Sequence, residues 1–185
     1  MSVGRILLMP MRVVLVLCSL AQFSLAGDGA ATRFPGLLTE LRSPNGRYLL
    51  LNTDSDVEPF HVLRLRDIAT ATTKELLSYE RFVDVLWSAG GSGLIINDHK
   101  GSDLSNCIVL RFGPASLRAD LMKLFVEQYP NNRHVVANHH VHIEATEWEA
   151  EDAVKVTVSG YGAVDPSGFV LKFDYVLGVG FKERK

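Results

Sequence analysis

His140-Val141-His142-Ile143-Glu144-Ala145-Thr146, Val154-Lys155-Val156-Thr157-Val158 and Phe169-Val170-Leu171-Lys172-Phe173-Asp174-Tyr175 decide the fold of this chain. In the first stretch Val141, Ile143 and Ala145 point one way, while His140, His142, Glu144 and Thr146 point the other. In the second, Val154, Val156 and Val158 oppose Lys155 and Thr157. In the third, Phe169, Leu171, Phe173 and Tyr175 oppose Lys172 and Asp174. Side chains alternate with a period of two only in extended backbone, so each stretch is a strand with one face on a core and one toward solvent. The connections Glu149 to Asp152 and Tyr161 to Gly168 are short, which predicts an antiparallel meander.

Working toward the amino terminus, strands are expected at Arg47 to Asn52, Pro59 to Arg66, Arg81 to Ser88, Gly93 to Asn97 and Asn106 to Phe112, each bounded by Gly, Pro, Asn, Asp or Ser. One segment has a different period. From Ser116 to Tyr129, Leu117, Leu121, Leu124 and Phe125, with Met122 beside them, recur at three- and four-residue spacing. That predicts a single amphipathic helix over about 116–129, stopped by Pro130-Asn131-Asn132. The fold class is therefore mainly β: antiparallel meanders plus one helix.

An internal repeat refines this. Arg42-Ser43-Pro44-Asn45-Gly46-Arg47-Tyr48-Leu49-Leu50-Leu51-Asn52 lies without gaps over Trp87-Ser88-Ala89-Gly90-Gly91-Ser92-Gly93-Leu94-Ile95-Ile96-Asn97, offset by 45 residues. Trp148 to Val158 is a looser third copy. Each unit is a strand, a tight turn and a hydrophobic strand. The motif resembles the Trp-Ser-Pro-Asp-Gly hairpin of β-propeller blades, as in TolB-type repeats and the propellers of prolyl-oligopeptidase-like enzymes. The stretch from Trp87 to Cys107 is also similar to a segment of exported bacterial proteins with no assigned activity. The resemblance implies blade-type units at 40–66, 81–112 and 139–177, within one β-rich domain over 40–180. Too few residues are present for the four or more blades of a closed ring. An incomplete propeller or open packed sheets are expected, with the helix as a plug and closure between chains as the alternative. Equal register predicts that Leu49 and Leu51 are buried like Leu94 and Ile96.

The first 26 residues fit a cleavable signal peptide: Arg5 and Arg12 supply positive charge, Val13 to Leu20 is apolar, and Ser24-Leu25-Ala26 offers small residues for the peptidase. Arg12, Ser19 and Gln22 interrupt the apolar run well short of the roughly 20 residues a membrane span needs. Residues 27–39 read as a linker. The expected destination is the periplasm or the medium, with no membrane span after cleavage. The leader carries two of the 19 basic residues and none of the 21 acidic ones, so the remainder has a formal charge of −4. Nucleic acid is thereby disfavoured as a partner, since phosphate neutralisation needs clustered Lys and Arg. Cys18 leaves with the leader, and Cys107, in an apolar run, reads as a buried small hydrophobe.

Two constellations carry potential chemistry. Asn97-Asp98-His99-Lys100-Gly101-Ser102-Asp103 is the densest polar cluster, read as a loop. In it Asp98 or Asp103 could orient His99, with Ser102 as nucleophile. The plainer reading is a turn whose Asn97, Asp98, His99, Ser102 and Asp103 bind or rigidify. The second is His140, His142 and Glu144, at alternate positions of one strand face, where imidazole and carboxylate could ligate a metal. Lys155, Thr157, Lys172 and Asp174 on the same face make an ordinary mixed-charge surface the favoured reading. Trp87 and Trp148 hold equivalent repeat positions and read as packing residues, and His139 as a structural histidine. No cofactor is expected. The function expected is a non-catalytic exported domain that binds or scaffolds a protein, peptide or glycan, with oligomerisation open. The alternative is a small hydrolase or metal-dependent enzyme using either constellation.

Overall fold

The computed structural model describes residues 30–58 and 60–184; the expected leader and Pro59, the first residue of an expected strand, lie outside them. The described chain is mainly β, in two open sheets, with two short helices. A four-stranded sheet runs in order through β2 (Glu40–Arg42), β3 (Tyr48–Asp54), β4 (His61–Asp67) and β5 (Thr72–Tyr79), all antiparallel. A second antiparallel meander follows: β6 (Phe82–Trp87), β7 (Gly93–His99), β8 (Leu104–Arg111) and β9 (Leu117–Asp120). After α1 (Leu121–Gln128) and α2 (Arg133–Val136) comes a third, made of β10 (His140–Ala150), β11 (Ala153–Tyr161), β12 (Phe169–Val176) and β13 (Gly180–Glu183). The second and third join into one nine-stranded sheet through β8 and β10, which pair in parallel at only two positions, Leu104↔Val141 and Ser105↔His142. β1 (Thr32–Phe34) completes that sheet by pairing with β6.

Two apolar cores follow from this order. Tyr48, Leu50, Leu63 and Leu65 of the first meander pack on Val83, Val85, Leu94 and Ile96 of the second. The opposite face of the second meander, with Leu86, Ile95, Cys107 and Val109, packs on Ile143, Val156, Val158 and Phe173 of the third, which folds back over it. The second meander is therefore apolar on both faces, and Leu94, Ile95 and Ile96 are all fully buried. Period-2 alternation is absent there because neither side meets water.

The equivalence expected between Leu49, Leu51 and Leu94, Ile96 fails for that reason. Leu49 and Leu51 are half-buried while Leu50 is fully buried. Two sheets that face each other must present opposite parities of one register, so Leu50 meets Leu94 and Ile96 rather than matching them. The turns themselves are built alike. Ser43 N–H donates to Tyr48 O and Gly46 N–H to Ser43 O; Ser88 N–H donates to Gly93 O and Gly91 N–H to Ser88 O. In each, the serine Oγ accepts from the amide five residues on. Gly46 and Gly91 have φ of 71° and 67°, a left-handed geometry that glycine enters at little cost.

Several expectations need correction. The helix begins at Leu121, not Ser116: Leu117–Asp120 pairs with β8 as an edge strand, and Ala119 is buried against Val109. Asp120 ends the strand and caps the helix, its side chain accepting from Lys123 N–H. The helix does not cover an outer face of the array. Leu121 and Phe125 wedge between the second and third meanders, where Phe125 meets Phe173 and Phe181 edge-on. Within the stretch read as linker, Thr32–Phe34 is a strand whose Phe34 is fully buried. The first unit extends past 66, because Thr72–Tyr79 is its fourth strand. No helix among the described residues is long and apolar enough to cross a membrane.

Candidate functional site

The strand β7 runs through His99, so the polar cluster expected as a loop is divided by strand alternation. Asn97 and His99 face the third meander, and Asp98 faces the first; only residues 100–103 form the turn. Asn97 acts as a spliced-in peptide group: its amide donates to Ala145 O at 2.9 Å and accepts from Ala145 N–H at 3.0 Å.

On the His99 side the two constellations meet. His99 Nε2 lies 3.1 Å from an Asp84 oxygen and Nδ1 lies 3.7 Å from Glu144 Oε1. Arg33 donates twice to Asp84, both at 2.8 Å, and Ser105 Oγ donates to Glu144. Phe82 stacks on His99 and lies beneath the Arg33 guanidinium. A few residues away His140 Nδ1 approaches Asp103 Oδ1 to 2.8 Å, off the line a hydrogen bond needs. The His140 ring stacks on Tyr161, and Ser102 Oγ donates to Asp103. His142 sits opposite Ser105 in the ladder. These residues line the two-residue junction between β8 and β10. Burial works to raise the Asp84 pKa, but Arg33, with His99 behind it, outweighs burial and holds the carboxyl below its usual range.

This arrangement closes the side chains on one another. A serine nucleophile needs an imidazole lone pair facing its hydroxyl, whereas Ser102 and Ser105 donate to carboxylates. His140, His142 and Glu144 form a row rather than a cage, and no three His, Cys, Asp or Glu side chains among the described residues are grouped to hold a metal. Cys107 is fully buried, and that burial pushes its thiol pKa up.

Asp98 faces the other way, into a cleft of about 210 Å³ between the first and second meanders, lined by Ser78, Tyr79, Glu80, Asp98 and Lys100. Its side chain is 5% exposed, and its nearest charged partner is Lys100 Nζ at 4.0 Å, beyond hydrogen-bond reach. Asn106, its ladder neighbour, is committed elsewhere: it donates to Asp120 and accepts from the amides of Cys107 and Met122. Burial raises the Asp98 pKa. Burial also pushes the Tyr79 phenol up, with the charges of Asp54 and Asp98 adding to it.

No family model matches this chain, and no curated protein or solved structure matches it. The site therefore rests on its own geometry. Sequence reasoning missed Arg33, Asp84 and Tyr79, which come from neighbouring strands, and Glu80 in the turn after Tyr79. It also missed Glu151, whose carboxylate accepts from Ser92 Oγ at 2.7 Å, Gly90 N–H at 2.8 Å and Ser88 Oγ at 3.1 Å. The offset of the repeat was the available signal, since Glu151 sits in the third copy's turn and grips the second, while Asn45 of the first donates to Gly90 O.

Proposed function

We propose that the chain is an exported, non-catalytic binding or scaffolding domain. One observation carries this reading: His99 and His140, beside the β8–β10 junction, lie against carboxylates, and the hydroxyls of Ser102 and Ser105 donate to carboxylates too. Side chains so committed hold strands in place; the hydrolase and metal readings of the same residues would need them turned toward a substrate or ion. Export is supported by the amino-terminal pattern of charge, apolar run and small residues. Descent from propeller-type repeats is supported by three four-stranded meanders in series and by two first turns with one hydrogen-bond pattern. A stacked array of this kind offers loop-lined clefts between units, which suits recognition of a protein, peptide or glycan.

The test uses the purified protein as bait on its native envelope fraction, beside a hydrolysis screen with ester, phosphoester and peptide substrates. A partner recovered by wild type and no turnover are expected. Turnover abolished by His99→Ala or Ser102→Ala would replace this reading with the enzymatic one.

A further inference from the structure

The Asp98 cleft holds a charge that the fold answers only at a distance, through Lys100 Nζ at 4.0 Å. The residue comes from the middle of the sheet, flanked in the ladder by apolar Val83 and by an Asn106 whose hydrogen bonds are spent on Asp120, the Met122 amide of α1 and the adjacent Cys107 amide. A carboxylate nineteen-twentieths buried and, among the described residues, without a hydrogen bond is costly, and such a group aimed into a cleft marks a place where a ligand completes the site. Apart from Lys100 at the entrance, the other groups there add no free donor. Glu80 contributes a second carboxylate. Ser78 Oγ donates to Glu75, and the Tyr79 hydroxyl donates to Asn52, so neither hydrogen is available.

We propose that this cleft binds the primary ammonium group of a small aliphatic amine, with Asp98 as its counter-ion, Glu80 at the rim and the Tyr79 ring beside the methylene stem. The inference rests on reading the chain as a binding domain and names a ligand class for one of its clefts. Size favours a compact ligand, since about 210 Å³ corresponds to roughly seven waters at about 30 Å³ each. Donor chemistry favours ammonium over a divalent ion. Calcium wants about six to eight oxygens, largely from carboxylates, and the cleft gathers only two carboxylates, with no three His, Cys, Asp or Glu side chains among the described residues grouped to hold a metal. An ammonium needs only acceptors for its three hydrogens, and the protein already places one at the entrance: Lys100 Nζ stands 4.0 Å from Asp98 on a half-exposed side chain. Lys100 acts as a weak internal stand-in that an incoming amine displaces.

The experiment is a titration of the purified protein with 1,5-diaminopentane, followed by amide chemical shifts, with calcium chloride and 1,5-pentanediol as parallel probes. Millimolar saturable shifts centred on Tyr79, Glu80 and Asp98 are expected with the diamine alone. They should vanish in Asp98→Asn, weaken in Glu80→Gln, and saturate about two- to fivefold earlier in Lys100→Ala, the range an exposed ion pair is worth. Glu80→Gln and Lys100→Ala lie at the surface and keep the test alive if Asp98→Asn does not fold. Absence of localised shifts overturns the proposal, as do shifts that survive Asp98→Asn or a tighter response to calcium than to the diamine. Such a failure would remove this cleft only; partner recovery decides the binding reading separately.

Discussion

Asp98 and Glu151 are both carboxylates in a β-rich protein, and their surroundings push them in opposite directions. Glu151 is near the surface, where hydrogen bonds from Ser92, then Gly90 and Ser88, overcome partial burial and lower its pKa. Its stabilisation is therefore present above the ordinary carboxylate pKa of about 4.3 and is lost as pH falls through the lower folded value. Glu151→Ala should cost about 1–2 kcal/mol at neutral pH, discounted for exposure, and much less under strongly acidic conditions. Denaturant melts at both pH values check this. Asp98 carries the reverse sign. Burial raises its pKa, so its charge costs stability at neutral pH and the cost is relieved as pH falls toward the unfolded value of about 3.9. Asp98→Asn should melt above wild type at pH 7, with the gap closing as pH approaches 4. A gap that stays constant would mean that Asp98 is not the group being relieved. Gly93 shows the same local determinism sterically. A Cβ there would lie 2.5 Å from the Trp148 ring, whose Nε1 donates to Leu86 O, so Gly93→Ala should cost about 1–3 kcal/mol by thermal melt.

Elements were legible where one face is wet. The third meander could be read from Val141 to Tyr175 because solvent on one side imposes alternation. The second meander showed only as apolar runs, since both its faces are covered. Thr72–Tyr79 was missed because its outward positions are polar and its inward Lys74, beside Leu65 in the ladder, breaks the pattern at the rim. Leu117 to Asp120 reads as helix in the sequence because Leu117 and Leu121 are four apart, a spacing that a strand running into a capped helix reproduces. The candidate site was half legible: His99, Asp103, His140 and Glu144 were named, but nothing local says that positions about 40 residues apart become neighbours. The helix itself is decisive for packing. Leu121 and Phe125 are fully buried, each contributing about 1.5–3 kcal/mol. Leu121→Asp should cost about 3–5 kcal/mol, as an unpaired buried charge does, while exposed Glu127→Ala stays within about 0.5 kcal/mol. If both melt alike, the wedge does not hold the second and third meanders together.

At the scale of the whole molecule, the two cores share only the second meander. Leu50 lies in one and Ile143 in the other. Leu50→Ala should cost about 2–5 kcal/mol and Ile143→Val about 0.5–1.5. With no shared partner, the double variant should equal the sum of the two within about 0.5 kcal/mol by denaturant titration. A larger coupling would mean that strain passes through the second meander from face to face.

The serial order of the meanders has a consequence for biogenesis. Each is a contiguous stretch of chain, and each apolar face finds its partner in the next stretch to be made. A chain threading out of a narrow pore, amino end leading, could close its first core once β8 had emerged, without waiting for the carboxyl terminus. Loop-closure costs grow with the length of chain to be closed, so short-range pairing favours rapid, stepwise ordering. The exception is the wedge. Phe125 reaches Phe173 and Phe181 only when the last strands arrive. The emerging intermediate therefore carries one sticky apolar face until the final forty or so residues are delivered, and that interval is when it would most need a chaperone.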